Sequence, residues 1–219
     1  MPLTLPPPAT VAYSPMWRCA DAAIAMYIAA ILALVAHRGF IKPLLISYTG
    51  WSWCIIGLRA LCSCAGAALG SSALLRVAES VRFAALVQAT VTSVVWNFAL
   101  MPYLLFKRWG GPDNVKERRA FLNWNFSFVL VNFHNLNVPL ACVNTVYGGG
   151  ARALTPSDLW SALVIGVAYA FFYLCLLDRL GVHLYPIFSP RTHWSAVMYA
   201  AWVGIYVAAL RGWNALIEA

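Results

Sequence analysis

Long apolar runs broken by short polar stretches organise this chain. Residues 19–36, 44–66, 83–106, 121–147, 159–177 and 194–210 are rich in Ala, Leu, Ile, Val, Phe and Trp. A bilayer core about 30 Å thick takes about 20 apolar residues as a helix, so each run is long enough for one span. The pattern predicts an all-α fold, an integral membrane bundle of six transmembrane helices. One domain over 19–217 follows an irregular leader, 1–18, whose Pro2, Pro6, Pro7, Pro8 and Pro15 oppose helix. The first run has no basic segment before it and no clear cleavage site after it, so it reads as a retained span, not a signal peptide. Its single charge, Asp21, stands near one end, placed to cap the helix or snorkel to the headgroups. Thr155-Pro156-Ser157-Asp158 is a helix start for the fifth run, and Arg211 closes the sixth.

Composition agrees with the pattern. Hydrophobic residues make up 62% and charged ones 10%, against about 45–50% and 25% in soluble domains. So few charges cannot cover a globule of this length in water, which excludes a soluble monomer. The length admits at most six or seven spans, with no room for a separate soluble domain. The net charge of +8 lies mostly between the runs, so it reports topology and calls for no nucleic acid partner.

Loops after the first, third and fifth runs hold nine Lys and Arg (Arg38, Lys42, Lys107, Arg108, Lys116, Arg118, Arg119, Arg179 and Arg191). The other side holds five: Arg18, Arg76, Arg82, Arg152 and Arg211. This bias predicts a cytoplasmic 107–120 loop and both termini outside or in a lumen, in an endomembrane or the plasma membrane. Cys19, Cys54, Cys62, Cys64, Cys142 and Cys175 all fall within apolar runs and read as small core residues. There is no internal repeat, which counts against an inverted-repeat transporter.

Polar residues at membrane depth are expensive, so they are the informative positions. The fourth run is the outlier, with Asn132, His134, Asn135 and Asn137 ahead of Pro139. Helical periodicity puts Ser127, His134, Asn137, Ala141 and Asn144 near one face and Asn125, Asn132 and Asn135 near another. Pro139 lacks an N–H, which frees the Asn135 carbonyl. Interhelical hydrogen bonding explains such amides without any further role. His134 is different, because imidazole is the side chain suited to act as a base near neutral pH. The second run offers it hydroxyls at Ser47, Thr49 and Ser52, among Tyr48, Trp51 and Trp53. The plain alternative there is an aromatic belt with hydroxyls bonding back to the helix.

Arg59, deep in the same run, can pair with a carbonyl or with Asp21, hold a fatty acid carboxylate, or snorkel. Gly181 and Pro186 predict a turn after the fifth run, with His183 and Tyr185 near headgroup level. Paired deep histidines for haem, a di-iron motif, a phosphate loop and a Gly-x-Ser-x-Gly elbow are missing, so no metal or cofactor is expected.

Thr49 at the head of the second run, His134 five residues before Pro139, and Gly181 four before Tyr185-Pro186 form a pattern. It resembles the androgen-induced and androgen-dependent TFPI-regulating family of multi-pass membrane hydrolases, over roughly residues 45–190. That resemblance implies six spans and cleavage of fatty acid esters of hydroxy fatty acids, with Thr49 as nucleophile and His134 as base. The lipid substrate would enter from the bilayer, and Asn132, Asn135 or Asn137 would support the oxyanion. Gly50-Trp51-Ser52 departs from the bulkier apolar residue and acid expected there, leaving Ser47 or Ser52 as alternative nucleophiles. The competing classes are a small transporter or channel, with Arg59 selecting an anion, and a non-enzymatic scaffold.

Overall fold

The computed structural model describes residues 15–108, 114–147, 152–182, 184–185, 189 and 193–218. It is all-helical among these residues. Helix α1 (Pro15–His37) begins on a proline, which fits a first turn that needs no N–H. After Gly39, at φ +77°, a short α2 (Ile41–Ile46) leads into α3 (Tyr48–Leu69). Ser47 caps α3 by accepting from the Gly50 N–H at 3.0 Å, and Gly70 ends it at φ +64°, a left-handed conformation suited to glycine.

Ser71 caps the next helical run, α4 (Ser72–Phe106). Helix α5 (Val115–Asn125) and α6 (Phe128–Val146) meet at a 59° bend. Helix α7 (Pro156–Leu177) opens with a capping box, in which Thr155 and Asp158 satisfy each other's backbone N–H groups. Helix α8 (Ser195–Glu218) is the last. Helices α1, α3, α4, α7 and α8 are each long and apolar enough to cross a bilayer; α5 and α6 make a sixth only if taken together as one bent span.

Helix α4 lies at the centre, with every residue from Val81 to Ala89 buried. It packs against α3, α6, α7 and α8, while α1 lies along α3. Gly166 sets the approach of α7 to α8: a Cβ there would strike the Trp202 ring and come within 2.9 Å of Tyr206 Oη. Polarity is inverted relative to a soluble bundle. Arg59, Gln88 and Asn132 are 0% exposed, whereas Phe98 is 80% and Phe171 67% exposed. Outward apolar and inward polar side chains are compatible with a multi-pass membrane protein, since hydrocarbon reverses what water selects.

Several boundaries differ from expectation. Pro15 to Arg18 belong to α1 and not to an irregular leader, whose residues 1–14 lie outside the described part. The expected loop before residue 83 is helical instead, because residues 72–101 contain neither Gly nor Pro, so Arg82 is buried and does not face solvent. The fourth run is not one straight helix. It breaks at Phe126–Ser127, which puts Asn125 on α5 and Ser127 at the break.

The face carrying His134, Asn137, Ala141 and Asn144 is buried, and so is Asn132, which periodicity placed on another face. A wider, π-type turn over Asn132–Leu136 shifts the register there; Pro139, which cannot donate to residue 135, accounts for it. Helix α8 runs through Arg211 to Glu218. Of the cysteines, all unpaired, Cys62 is buried and Cys142 packs against the core, whereas Cys19 is exposed and Cys54, Cys64 and Cys175 are half-buried. Gly181, at φ +75°, makes the expected turn, while His183 and Pro186 lie outside the described residues.

Candidate active site in the polar interior

Two polar regions occupy the bundle. The first joins the start of α1, the later part of α3, the start of α4, the end of α6 and the start of α7. Asp21 is 1% exposed, and it neither caps nor snorkels: it accepts from Ser63 Oγ and from Asn144 Nδ2 at 2.6 Å. Arg59 donates to the Asn144 carbonyl and stands 3.8 Å from Glu79. The sequence offered Arg59 a carbonyl as one partner, and a carbonyl of its own chain takes it. Glu79 also pairs with Arg82 at 3.0 Å and Arg152 at 3.3 Å. Arg152 in turn forks onto both Asp158 oxygens at 2.8 and 2.9 Å, which raises its pKa above the ordinary arginine value. Three acids and three arginines therefore balance.

The second region carries no formal charge and lies around α3, α4 and α6, nearer the head of α3. Here Ser47, Thr49 and Ser52 diverge. Ser47 is committed to structure, accepting from Gly50 and donating to the Leu44 carbonyl at 2.7 Å. Gly50 is required because a Cβ would collide with that same carbonyl, which explains a glycine where bulk was expected. Thr49 is half-buried beside Tyr185, whose oxygen accepts from the Tyr48 N–H at 3.1 Å and also interacts with the Thr49 side chain and N–H. Burial holds the Tyr185 phenol above its usual pKa, so it remains protonated near neutral pH. Tyr173 Oη fixes Tyr185 by bonding its carbonyl at 3.0 Å and its N–H at 3.3 Å. Ser52, one turn deeper, is fully buried and its hydroxyl has no hydrogen-bond partner.

His134 stacks flat on Trp96, with ring centroids 4.0 Å apart and planes 6° apart. Its Nδ1 is buried and closes no well-aligned hydrogen bond among the described residues, although the ring lies against the Leu130 carbonyl one turn back on its own helix. It makes no direct hydrogen bond with Thr49. The three asparagines are already engaged: Asn132 donates to the Phe128 carbonyl at 2.8 Å and accepts from Tyr27, and Asn137 donates to the Ala89 carbonyl at 3.3 Å. Asn135 accepts from Asn97 at 2.9 Å.

Helix α4 contributes what sequence reasoning missed. Gln88, Thr92 and Trp96 recur every four residues and so share a face, the face on which His134 stacks. Among the described residues the hydroxyl of Thr92 and both polar atoms of Gln88 close no well-aligned hydrogen bond, nor do Trp53 Nε1 and Asn137 Oδ1; the Gln88 amide has a loose contact with Tyr206 Oη. Tyr206 Oη lies 2.8 Å from Tyr48 Oη and beside Gln88, linking this face to the residue before Thr49. The signal was available as a four-residue polar spacing, but a single Gln and Thr within an apolar helix look like ordinary interhelical bonding.

Buried polar atoms are normally satisfied, because leaving one unpaired costs about 1–3 kcal/mol. Here six residues of three helices leave polar atoms unpaired in one part of the interior, among them an imidazole nitrogen and two hydroxyls. Chemically, the region can accept a proton, offer an oxygen nucleophile and donate to a carbonyl. No family model matches the chain, nor does any curated protein or solved structure.

Proposed function

We propose that the chain is a six-span integral membrane hydrolase of lipid acyl esters, similar to the androgen-induced and androgen-dependent membrane hydrolases. The observation that carries this reading is a buried imidazole, His134, whose Nδ1 has no side-chain partner and touches only the Leu130 carbonyl of its own helix, within an uncharged polar interior enclosed by a bundle whose exterior is apolar. An ester of two acyl chains dissolves in hydrocarbon, so a site at that depth receives it laterally, without transfer to water. His134 takes the hydroxyl proton of Thr49 as the oxygen attacks the ester carbonyl. The alcohol leaves with that proton, and water then hydrolyses the acyl-threonine. Thr49 and His134 approach one another through side-chain rotation or a bridging water when substrate binds, since apo hydrogen bonds of catalytic pairs are often long. The resemblance implies fatty acid esters of hydroxy fatty acids as substrates.

Ser52 is the second reading for the nucleophile. Its hydroxyl is fully buried and unpartnered, in the same interior as His134. Labelling membranes with a lipophilic fluorophosphonate distinguishes the cases. Wild type labels, and Thr49→Ala and His134→Ala do not. Loss of labelling in Ser52→Ala with retention in Thr49→Ala transfers the role to Ser52, and equal labelling of every variant removes the hydrolase.

A further inference from the structure

Gln88 is the least satisfied polar side chain of the interior. It is 0% exposed; its amide oxygen has no hydrogen-bond partner among the described residues, and its amide nitrogen has only a loose contact with Tyr206 Oη, which leaves an N–H unused. A primary amide offers two N–H donors and an acceptor oxygen, and buried amides ordinarily use them. Of the three asparagines expected from the sequence to serve an oxyanion, Asn132 donates to the Phe128 carbonyl and Asn137 to the Ala89 carbonyl, while Asn135 is held through its oxygen by Asn97.

The position of Gln88 suits the chemistry. Helices α3 and α4 run antiparallel about the turn at Gly70–Ser71, so residues equally far from that turn share a depth. Thr92 is level with Thr49, and Gln88 with Trp53, one turn deeper. Tyr206 stands beside Gln88 and bonds Tyr48, the neighbour of Thr49, at 2.8 Å. Gln88 thus belongs to the stripe of α4 on which His134 stacks, at the depth of the Ser52–Trp53 turn of α3.

We infer that Gln88 is a catalytic residue that donates its amide N–H to the carbonyl oxygen of the ester, an inference that rests on the hydrolase reading. As the nucleophile oxygen bonds to the carbonyl carbon, the C=O π pair moves onto oxygen, and the Gln88 Nε2–H stabilises that charge. When the carbonyl re-forms, the alcohol departs with the proton held by His134, and Gln88 is unchanged. A donor aimed at the developing charge is neutral and costs no reorganisation in the step.

The test compares Gln88→Leu with wild type in purified, detergent-solubilised protein, reading kcat and KM on a fatty acid ester of a hydroxy fatty acid together with Tm. Replacing an unpartnered amide by an apolar side chain of similar size leaves Tm equal or higher. The kcat falls about a hundredfold or more, the scale of a lost oxyanion donor, with KM little changed. An unchanged kcat overturns the inference, as does a lowered Tm with activity falling only in step with the folded fraction. Thr49→Ala and Ser52→Ala run alongside separate the two failures. If one of them is inactive while Gln88→Leu is fully active, the donor role alone falls; if both match wild type, the hydrolase reading falls and the donor role with it.

Discussion

The two polar regions of this bundle contrast in how they treat their hydrogen-bonding groups. Near the start of α1, Asp21, Glu79 and Asp158 are matched by Arg59, Arg82 and Arg152, and even the backbone carbonyls of Asn144 and Thr145 accept from arginines. Around the head of α3, Ser52, Gln88, Thr92, His134 and Asn137 are uncharged, yet each has a polar atom that closes no well-aligned hydrogen bond among the described residues, whereas among the uncharged side chains of the first region only Asn144, through Oδ1, does so. A structural network minimises free energy by closing on itself, because unpaired charge in an apolar interior is costly. A site that must bind a carbonyl and move a proton keeps capacity open, and the protein loses stability by holding it so. The charged residues, which draw the eye in a sequence, therefore hold the helices together, while the uncharged ones are those to which we assign the proposed chemistry.

The comparison can be broken at either region. The largest effect is expected at His134. Removing a general base costs about 10²–10⁴-fold in rate, and His134→Ala should lower kcat per folded molecule on a lipid ester by that much, beyond the fall in Tm that follows from the space left against Trp96. A fall in Tm without a specific loss of turnover would assign His134 to packing. Next in size is Glu79→Ala, which strips three arginines of their shared partner. Breaking a buried pair costs about 3–5 kcal/mol, so its Tm should fall steeply while the rate per folded molecule is retained. A loss of kcat at unchanged Tm would mean that the ionic region takes part in catalysis.

Gly166→Ala sharpens the contrast from the packing side. The added methyl meets Trp202 and Tyr206, and overpacking costs about 1–3 kcal/mol. Because Tyr206 bonds Tyr48 beside the site, activity should fall further than stability explains, measured as kcat corrected for the folded fraction. The smallest effect is expected for Thr155→Ala, which removes the cap of α7 at the ionic end. It should cost about 1 kcal/mol of stability and leave turnover unchanged.

The helical class was legible because apolar run length and the scarcity of charge are properties of the chain itself. So was the α7 cap, where Thr155 and Asp158 are three residues apart and need nothing from elsewhere. The buried face of α6 was legible as far as Pro139 left its period intact, and the break at Phe126–Ser127 was not, because no Gly or Pro marks it. Asp21 was misread because its partners Ser63 and Asn144 are 42 and 123 positions away. His134 stood out as the deep ionisable group of its run. Gln88 did not, since its meaning comes from what it fails to touch, and a sequence does not show which amides remain unsatisfied after packing.

Turnover of a fatty acid ester of a hydroxy fatty acid by purified protein, wild type against His134→Ala, with Tm read on the same samples, tests the division between the two regions most directly. The account predicts hydrolysis by wild type and, per folded molecule, loss of kcat by about a hundredfold or more in His134→Ala. Equal turnover by the two proteins, or no turnover by a well-folded wild type, would contradict it.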